Sequence, residues 1–150
     1  MAEQLHFEDF RVGTVYESPP RTLGEADFLA FQALTGDDHP IHYDRDYCRR
    51  HGHPERLAHG LLLMAHTALG ASSLAPRVHE SMLAFLEQSG RFLRPVYVGD
   101  TLHPRLVVAE LKPQRTTGVV TLRVELTNQR GETVLEGRHV YLLRRRSARP

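Results

Sequence analysis

Four long segments in the second half of the chain constrain its fold more than any other feature. Met82 to Leu93, Thr101 to Leu111, Gly118 to Thr127 and Thr133 to Leu143 are rich in Val, Leu and Thr and partly alternate apolar with polar residues. In the third, Val120, Leu122, Val124 and Leu126 fall on one face, while Thr121, Arg123, Glu125 and Thr127 fall on the other. That period of two predicts strands with one buried and one wet face. Val98-Gly99-Asp100 and Asn128-Gln129-Arg130-Gly131 read as turns between antiparallel neighbours. Upstream, Leu61 to about Ser72 is apolar on nearly every side, which predicts a helix buried all round. The chain therefore reads as a strand or two, helices, one buried helix and four long strands. The fold class is α+β, a curved antiparallel sheet wrapped around a central apolar helix. A single-layer sheet leaves edges and an uncovered face, so at least a homodimer is expected.

Two further helices frame a short reactive segment. Thr22-Leu23-Gly24-Glu25 fits a capping box and opens a helix to about Leu34, with Phe28, Phe31 and Leu34 at three-residue spacing. Gly36 is placed to end it in the left-handed conformation. Asp44 caps a second helix from Arg45 to about Arg50, which Gly52 and Pro54 terminate. Between them lies Thr35-Gly36-Asp37-Asp38-His39-Pro40-Ile41-His42. Eight residues hold two imidazoles and two carboxylates, the usual proton carriers near neutral pH, on a backbone stiffened by Gly and Pro. This is the expected catalytic loop.

Other chemistry is excluded or left without support. Nineteen basic against 18 acidic residues give a formal net charge of +1, so no global field draws the chain to nucleic acid or a membrane surface. The most apolar segment, Leu61 to Leu69, is too short to span a bilayer. The N-terminal ten residues carry Glu3, Glu8 and Asp9 and do not read as a signal peptide. With Cys48 alone no internal disulfide forms, which suits the cytoplasm, and Cys48 reads as a small buried filler. Ten histidines raise the question of a metal, but no Cys companions or His-Glu-x-x-His spacing accompany them, and no metal is expected. No serine lies in a nucleophile elbow. Residues 144–150 read as a solvated basic tail.

The segment from Phe31 to His42, followed by five residues and Cys48, resembles the signature of the MaoC-like dehydratases and (R)-specific enoyl-CoA hydratases. His39 stands where that signature has Asn, and Cys48 where it has Ala or Ser. Ala58-His59-Gly60-Leu61 and the run from Phe92 to Leu102 extend the resemblance, so that it covers about residues 7–143 as a single domain. It implies a hot-dog fold, a sheet around a long helix. It further implies reversible syn hydration of a trans-2-enoyl-CoA thioester to an (R)-3-hydroxyacyl-CoA, with no metal or redox cofactor, coenzyme A being part of the substrate. Asp37 and His42 match the catalytic positions, and Gly60 matches the glycine whose backbone N–H polarises the thioester carbonyl. Phe31, His39, His59 and Leu61, which flank these positions, are the expected substrate-binding residues.

The residue types suit that chemistry. A carboxylate and an imidazole gripping one water supply both base and acid on the same face of the double bond, typically contributing ~10²–10⁴-fold. The first N–H groups of the buried helix are unpaired donors for the developing enolate oxygen. His39 replaces Asn as a positioning group or is a turn residue, and both readings stand. His59 orders the glycine turn or begins the helix. Asp38 reads as solvated. The acyl pocket is expected among Phe28, Phe31, Leu62, Leu63 and His66, and Arg91, Arg94, Lys112 and Arg115 are candidates for the coenzyme phosphates. A thioesterase on the same fold and a non-catalytic acyl-thioester-binding subunit are the alternatives.

Overall fold

The computed structural model describes residues 1–146. Its strands are β1 (Val15–Glu17), β2 (Arg21–Thr22), β3 (Met82–Phe92), β4 (Thr101–Pro113), β5 (Thr117–Thr127) and β6 (Thr133–Arg144). All pairings between them are antiparallel, in the order β1-β4-β5-β6-β3, with β2 also on β4. Register shifts in β3 and β4 mark bulges, which bend a strand and increase its twist. The helices are α1 (Glu25–Thr35), α2 (Arg45–Arg50) and α3 (Gly60–Ala65). Leu62 and Leu63 of α3 join one buried cluster with Leu102, Leu106, Leu122, Val124, Leu126 and Leu135 of the sheet. This is the α+β hot-dog arrangement, and the four long strands lie where the alternation puts them.

Three local expectations are corrected. The central helix is six residues, not twelve. Thr67 Oγ1 donates to the Met64 carbonyl (2.6 Å), taking the acceptor a continuing helix would use. Its single proton thus committed, Thr67 accepts from His139 Nε2 on β6 (3.0 Å), and His139 Nδ1 accepts from the Tyr141 hydroxyl (3.0 Å). This buried relay anchors the end of α3 to the sheet. Gly90 makes room beside it, since a Cβ there would strike the Met64 thioether.

The second correction concerns α1. Its cap is Gly24, whose N–H donates to Asp27 Oδ2 (2.8 Å), while Thr22 pairs in β2 with Thr101. Phe28 and Phe31 are buried but Leu34 is exposed, because successive three-residue steps each fall 60° short of a full turn. Gly36 ends the helix as expected, at φ 74°. The third concerns the C-terminus. Arg145 Nε donates to Glu8 Oε1 (2.7 Å) and Arg146 Nη2 to Asp9 Oδ2 (2.6 Å), so both arginines clasp the N-terminal turn, although Arg146 stays exposed. The remainder of the expected basic tail, 147–150, lies outside the described residues. Among the described residues no helix is long and apolar enough to cross a membrane.

Candidate active site

The loop between α1 and α2 is held by a chain of local hydrogen bonds. Thr35 Oγ1 receives the Asp37 N–H (3.2 Å), and Asp37 Oδ1 receives the His39 N–H (3.2 Å). His39 Nδ1 receives the Ile41 N–H (3.2 Å), and the His39 carbonyl receives the His42 N–H (3.0 Å). Pro40, which has no N–H to place, starts the single 3₁₀ turn Pro40–His42. The Ile41 carbonyl accepts from Leu57 N (3.0 Å) and from the buried Cys48 thiol (2.9 Å), which fixes the loop to α2 and to the approach of α3. Cys48 is fully buried, as expected of a filler, and also holds the turn.

This scaffold brings the two expected catalytic side chains together. A carboxylate oxygen of Asp37 and one ring nitrogen each of His42 and His59 lie within 4.8 Å of one another. His42 Nδ1 is 2.6 Å from the Leu57 carbonyl. A carbonyl only accepts, so Nδ1 carries the proton and Nε2 presents a lone pair. The His59 ring stacks on His42 at 3.8 Å and 23° and is packed by Phe31 (4.4 Å) and Phe28 (5.3 Å). Its Nε2 lies 2.7 Å from the Tyr43 hydroxyl, which donates to the Asp37 carbonyl (2.9 Å). His59 Nδ1 is buried without a partner. Burial, with His42 beside it, lowers the His59 pKa to about 4, outweighing the opposite pull of Asp37. His59 is therefore a neutral wall behind His42.

The other expected residues separate into distinct places. Gly60 begins α3 and lines a cavity of about 400 Å³ with Leu57, Leu63, Phe92, Arg94 and Val96. No hydrogen bond of the described residues engages its N–H. The Phe92 ring would lie 3.0 Å from a Cβ at this position, so only glycine fits without moving it. Leu61 turns the other way, into a cavity of about 450 Å³ with Met64, Ala65, Phe85, His139 and Tyr141. Of the residues expected in the acyl pocket only Leu63 lines either cavity; Phe28, Phe31, Leu62 and His66 line neither. Of the four candidates for the phosphates, Arg94 alone lines the Gly60 cavity, where it pairs with Glu132 at 3.4 Å. Arg91 faces a groove with Arg123 and Arg138, and Arg115 lies with Arg144 at another opening.

The sequence over residues 9–130 matches the family described as the MaoC like domain. The chain belongs to that family. It is 31% identical over 132 residues to the (R)-specific enoyl-CoA hydratase of Rhodospirillum rubrum, which covers 88% of this chain and 87% of the relative. Among solved structures, a monoamine oxidase regulatory protein from Archaeoglobus superposes with TM-score 0.90 at 32% identity, over 97% of this chain and 98% of that one. A Mycobacterium tuberculosis protein with a double hot-dog fold superposes with TM-score 0.80 at 29% identity, over 98% of this chain and 46% of that one. The MaoC-like assignment makes this a protein of the hydratase and dehydratase type and agrees with the observed fold.

Sequence reasoning missed three contributors to this MaoC-like site. The Leu57 carbonyl carries no signal, because any residue supplies one. Tyr43, next to His42 and aromatic, was open to notice. Phe92 reaches Gly60 from 32 positions away, which only the sheet topology explains.

Proposed function

We propose that this protein reversibly hydrates trans-2-enoyl-CoA thioesters to (R)-3-hydroxyacyl-CoA thioesters, with Asp37 and His42 acting on one water. The observation that carries the reading is the Asp37 carboxylate beside a His42 whose proton is pinned on Nδ1 by the Leu57 carbonyl. The water's oxygen attacks the β-carbon as His42 Nε2 takes one of its protons, while Asp37 accepts a hydrogen bond from the other. The imidazolium so formed, stabilised by the Asp37 charge, gives its proton to the α-carbon on the same face. Neutral His59 adds no positive charge to oppose that step. The enolate oxygen receives the free Gly60 N–H, an interaction whose loss in comparable sites costs ~3–4 kcal/mol.

Hydration moves no net electrons, so the step calls for no redox cofactor. Nor does the donor set suit a metal. Asp37, His42 and His59 do come together, but the two imidazole rings stack with centroids 3.8 Å apart and planes inclined by only 23°, and lone pairs lying in nearly parallel ring planes do not converge readily on one ion. We assign the thioester to the Gly60 cavity with Arg94 toward the coenzyme phosphates, and the acyl chain to the cavity lined by Leu61. Phe31 and His59 back the reacting water. Leu83, Phe85 and Leu86 on β3, an edge strand, are exposed together with Phe92, Leu93 and Leu61, and a second copy covering them makes a homodimer. The single buried thiol suits the cytoplasm.

The test is turnover of crotonyl-CoA, followed by loss of the enoyl absorbance and by product stereochemistry. Asp37→Asn and His42→Ala each lower kcat by roughly 10²-fold or more while circular dichroism stays native. Unchanged turnover in both variants overturns the mechanism. Free thiol released without loss of the enoyl group makes the protein a thioesterase instead.

A further inference from the structure

His39 meets both amide groups that lead into the catalytic histidine. Its ring nitrogen Nδ1 receives the Ile41 N–H at 3.2 Å, and its carbonyl receives the His42 N–H at 3.0 Å. Since Pro40 has no N–H, these are the two amides of the turn Pro40–His42 that need partners. One residue thus satisfies the whole start of the turn that carries His42. Its own N–H is tied to Asp37 Oδ1, so it also steadies the other half of the catalytic pair.

An imidazole nitrogen accepts a hydrogen bond only while it bears no proton. The geometry assigns His39 as a positioning residue for His42 that works in one tautomer alone, with the proton on Nε2 and Nδ1 bare. Protonating Nδ1 turns the acceptor into a donor aimed at the Ile41 N–H, and the turn loses its cap. His39 is exposed, so solvent protons reach it. The groups that face it are the Asp37 carboxylate and neighbouring Asp38 on its own loop and the His42 ring at 6.3 Å. From α2 come the Tyr47 ring at 5.8 Å, with His51 stacked on Tyr47 at 4.1 Å and the Arg50 guanidinium 6.0 Å from it. The consequence is a hydratase whose catalytic loop loosens on the acid side through a proton on His39 rather than on Asp37 or His42. This inference rests on the proposed role of His42, and its test separates the two.

Asn is also a good capping acceptor, but it does not titrate there. The pH dependence of kcat is measured with crotonyl-CoA for the wild type, His39→Asn and His39→Ala. At pH 8, kcat of H39N exceeds that of H39A by roughly tenfold, the size expected from a lost cap, with KM much less affected. On the acid limb the wild type loses activity through one more ionisation than H39N, so its limiting slope is steeper by about one. Independently of turnover, the Ile41 amide resonance in a ¹⁵N-correlated NMR titration follows the His39 imidazole in the wild type and loses that transition in H39N. An acid limb identical in wild type and H39N, or an Ile41 amide indifferent to the His39 titration, overturns the inference. If H42A turns over normally while the Ile41 amide still follows His39, the cap stands and the catalytic reading alone has failed.

Discussion

Acidifying the protein from pH 7 to pH 5 is expected to remove roughly 4 kcal/mol of folding stability through two buried imidazoles. His59 and His139 are each 2% exposed, and burial takes the pKa of each from 6.5 to about 4. The unfolded chain binds those two protons more readily than the folded one, so stability rises with pH between 4 and 6.5 and is fully present only above 6.5. At pH 5 each site is about 1.5 pH units below its unfolded pKa and still unprotonated when folded, which costs about 2 kcal/mol per site. Carboxylates do not confound this window. Glu55, whose pKa is lowered to about 2 first by the Arg56 amide and further by Arg45 and Arg56, loses its contribution only as pH falls through 4.5 toward 2. The assay is urea unfolding by far-ultraviolet circular dichroism at half-unit steps from pH 7.5 to 4.5. His139→Gln, which keeps a side-chain amide near Thr67 but does not titrate, should reduce the slope by about one proton, leaving His59 and His66, whose pKa burial also lowers, to carry the rest. A folding free energy that is flat from pH 7 to 5 would refute the assignment of both rings as buried and neutral.

Two substitutions probe the site from opposite sides. Gly60→Ala places a methyl against the Phe92 ring and in the thioester's path; kcat/KM for crotonyl-CoA falls by roughly 10²-fold, while the urea midpoint changes little because Phe92 is half-exposed and yields. Tyr43→Phe removes the hydroxyl shared by His59 and the Asp37 carbonyl, lowering stability by about 1–2 kcal/mol and kcat more than KM. A Tyr43→Phe protein with wild-type kcat would show that the His59 wall does not need that anchor.

The sheet and the reactive loop were legible in the sequence for different reasons. In β5 the alternation of Val120, Leu122, Val124 and Leu126 is a local signal, and a strand buried on one face must obey it. The pairing of Asp37 with His42 is local too, since five residues on a Gly- and Pro-stiffened loop cannot separate far. What escaped depends on partners distant in sequence. Apolar composition from Leu61 to Ser72 fits a long helix, yet Thr67 stops it by joining His139, 72 residues away. Arg145 and Arg146 look like a solvated tail until the fold brings Glu8 and Asp9 beside them, 137 residues upstream. Leu57 contributes through its carbonyl alone, so no residue type at that position announces it.

The short central helix and the exposed strand edge bear on the same chemistry. A six-residue helix contributes little dipole beyond its first turn, so the proposed role of Gly60 depends on shielding its unpaired N–H from water rather than on helix length. In one copy of the chain that shield is incomplete, because Phe92, which roofs Gly60, is half-exposed on β3 among Phe85, Leu86 and Leu93. In the proposed homodimer, a second copy covering this edge would remove apolar surface from water and enclose the Gly60 cavity in the same event. The electrostatic value of the amide rises as solvent leaves. The proposed assembly and the proposed catalysis would thereby be coupled through Phe92, and a charge introduced at Leu86, which touches neither Asp37 nor His42, should lower turnover in step with the fraction of dimer.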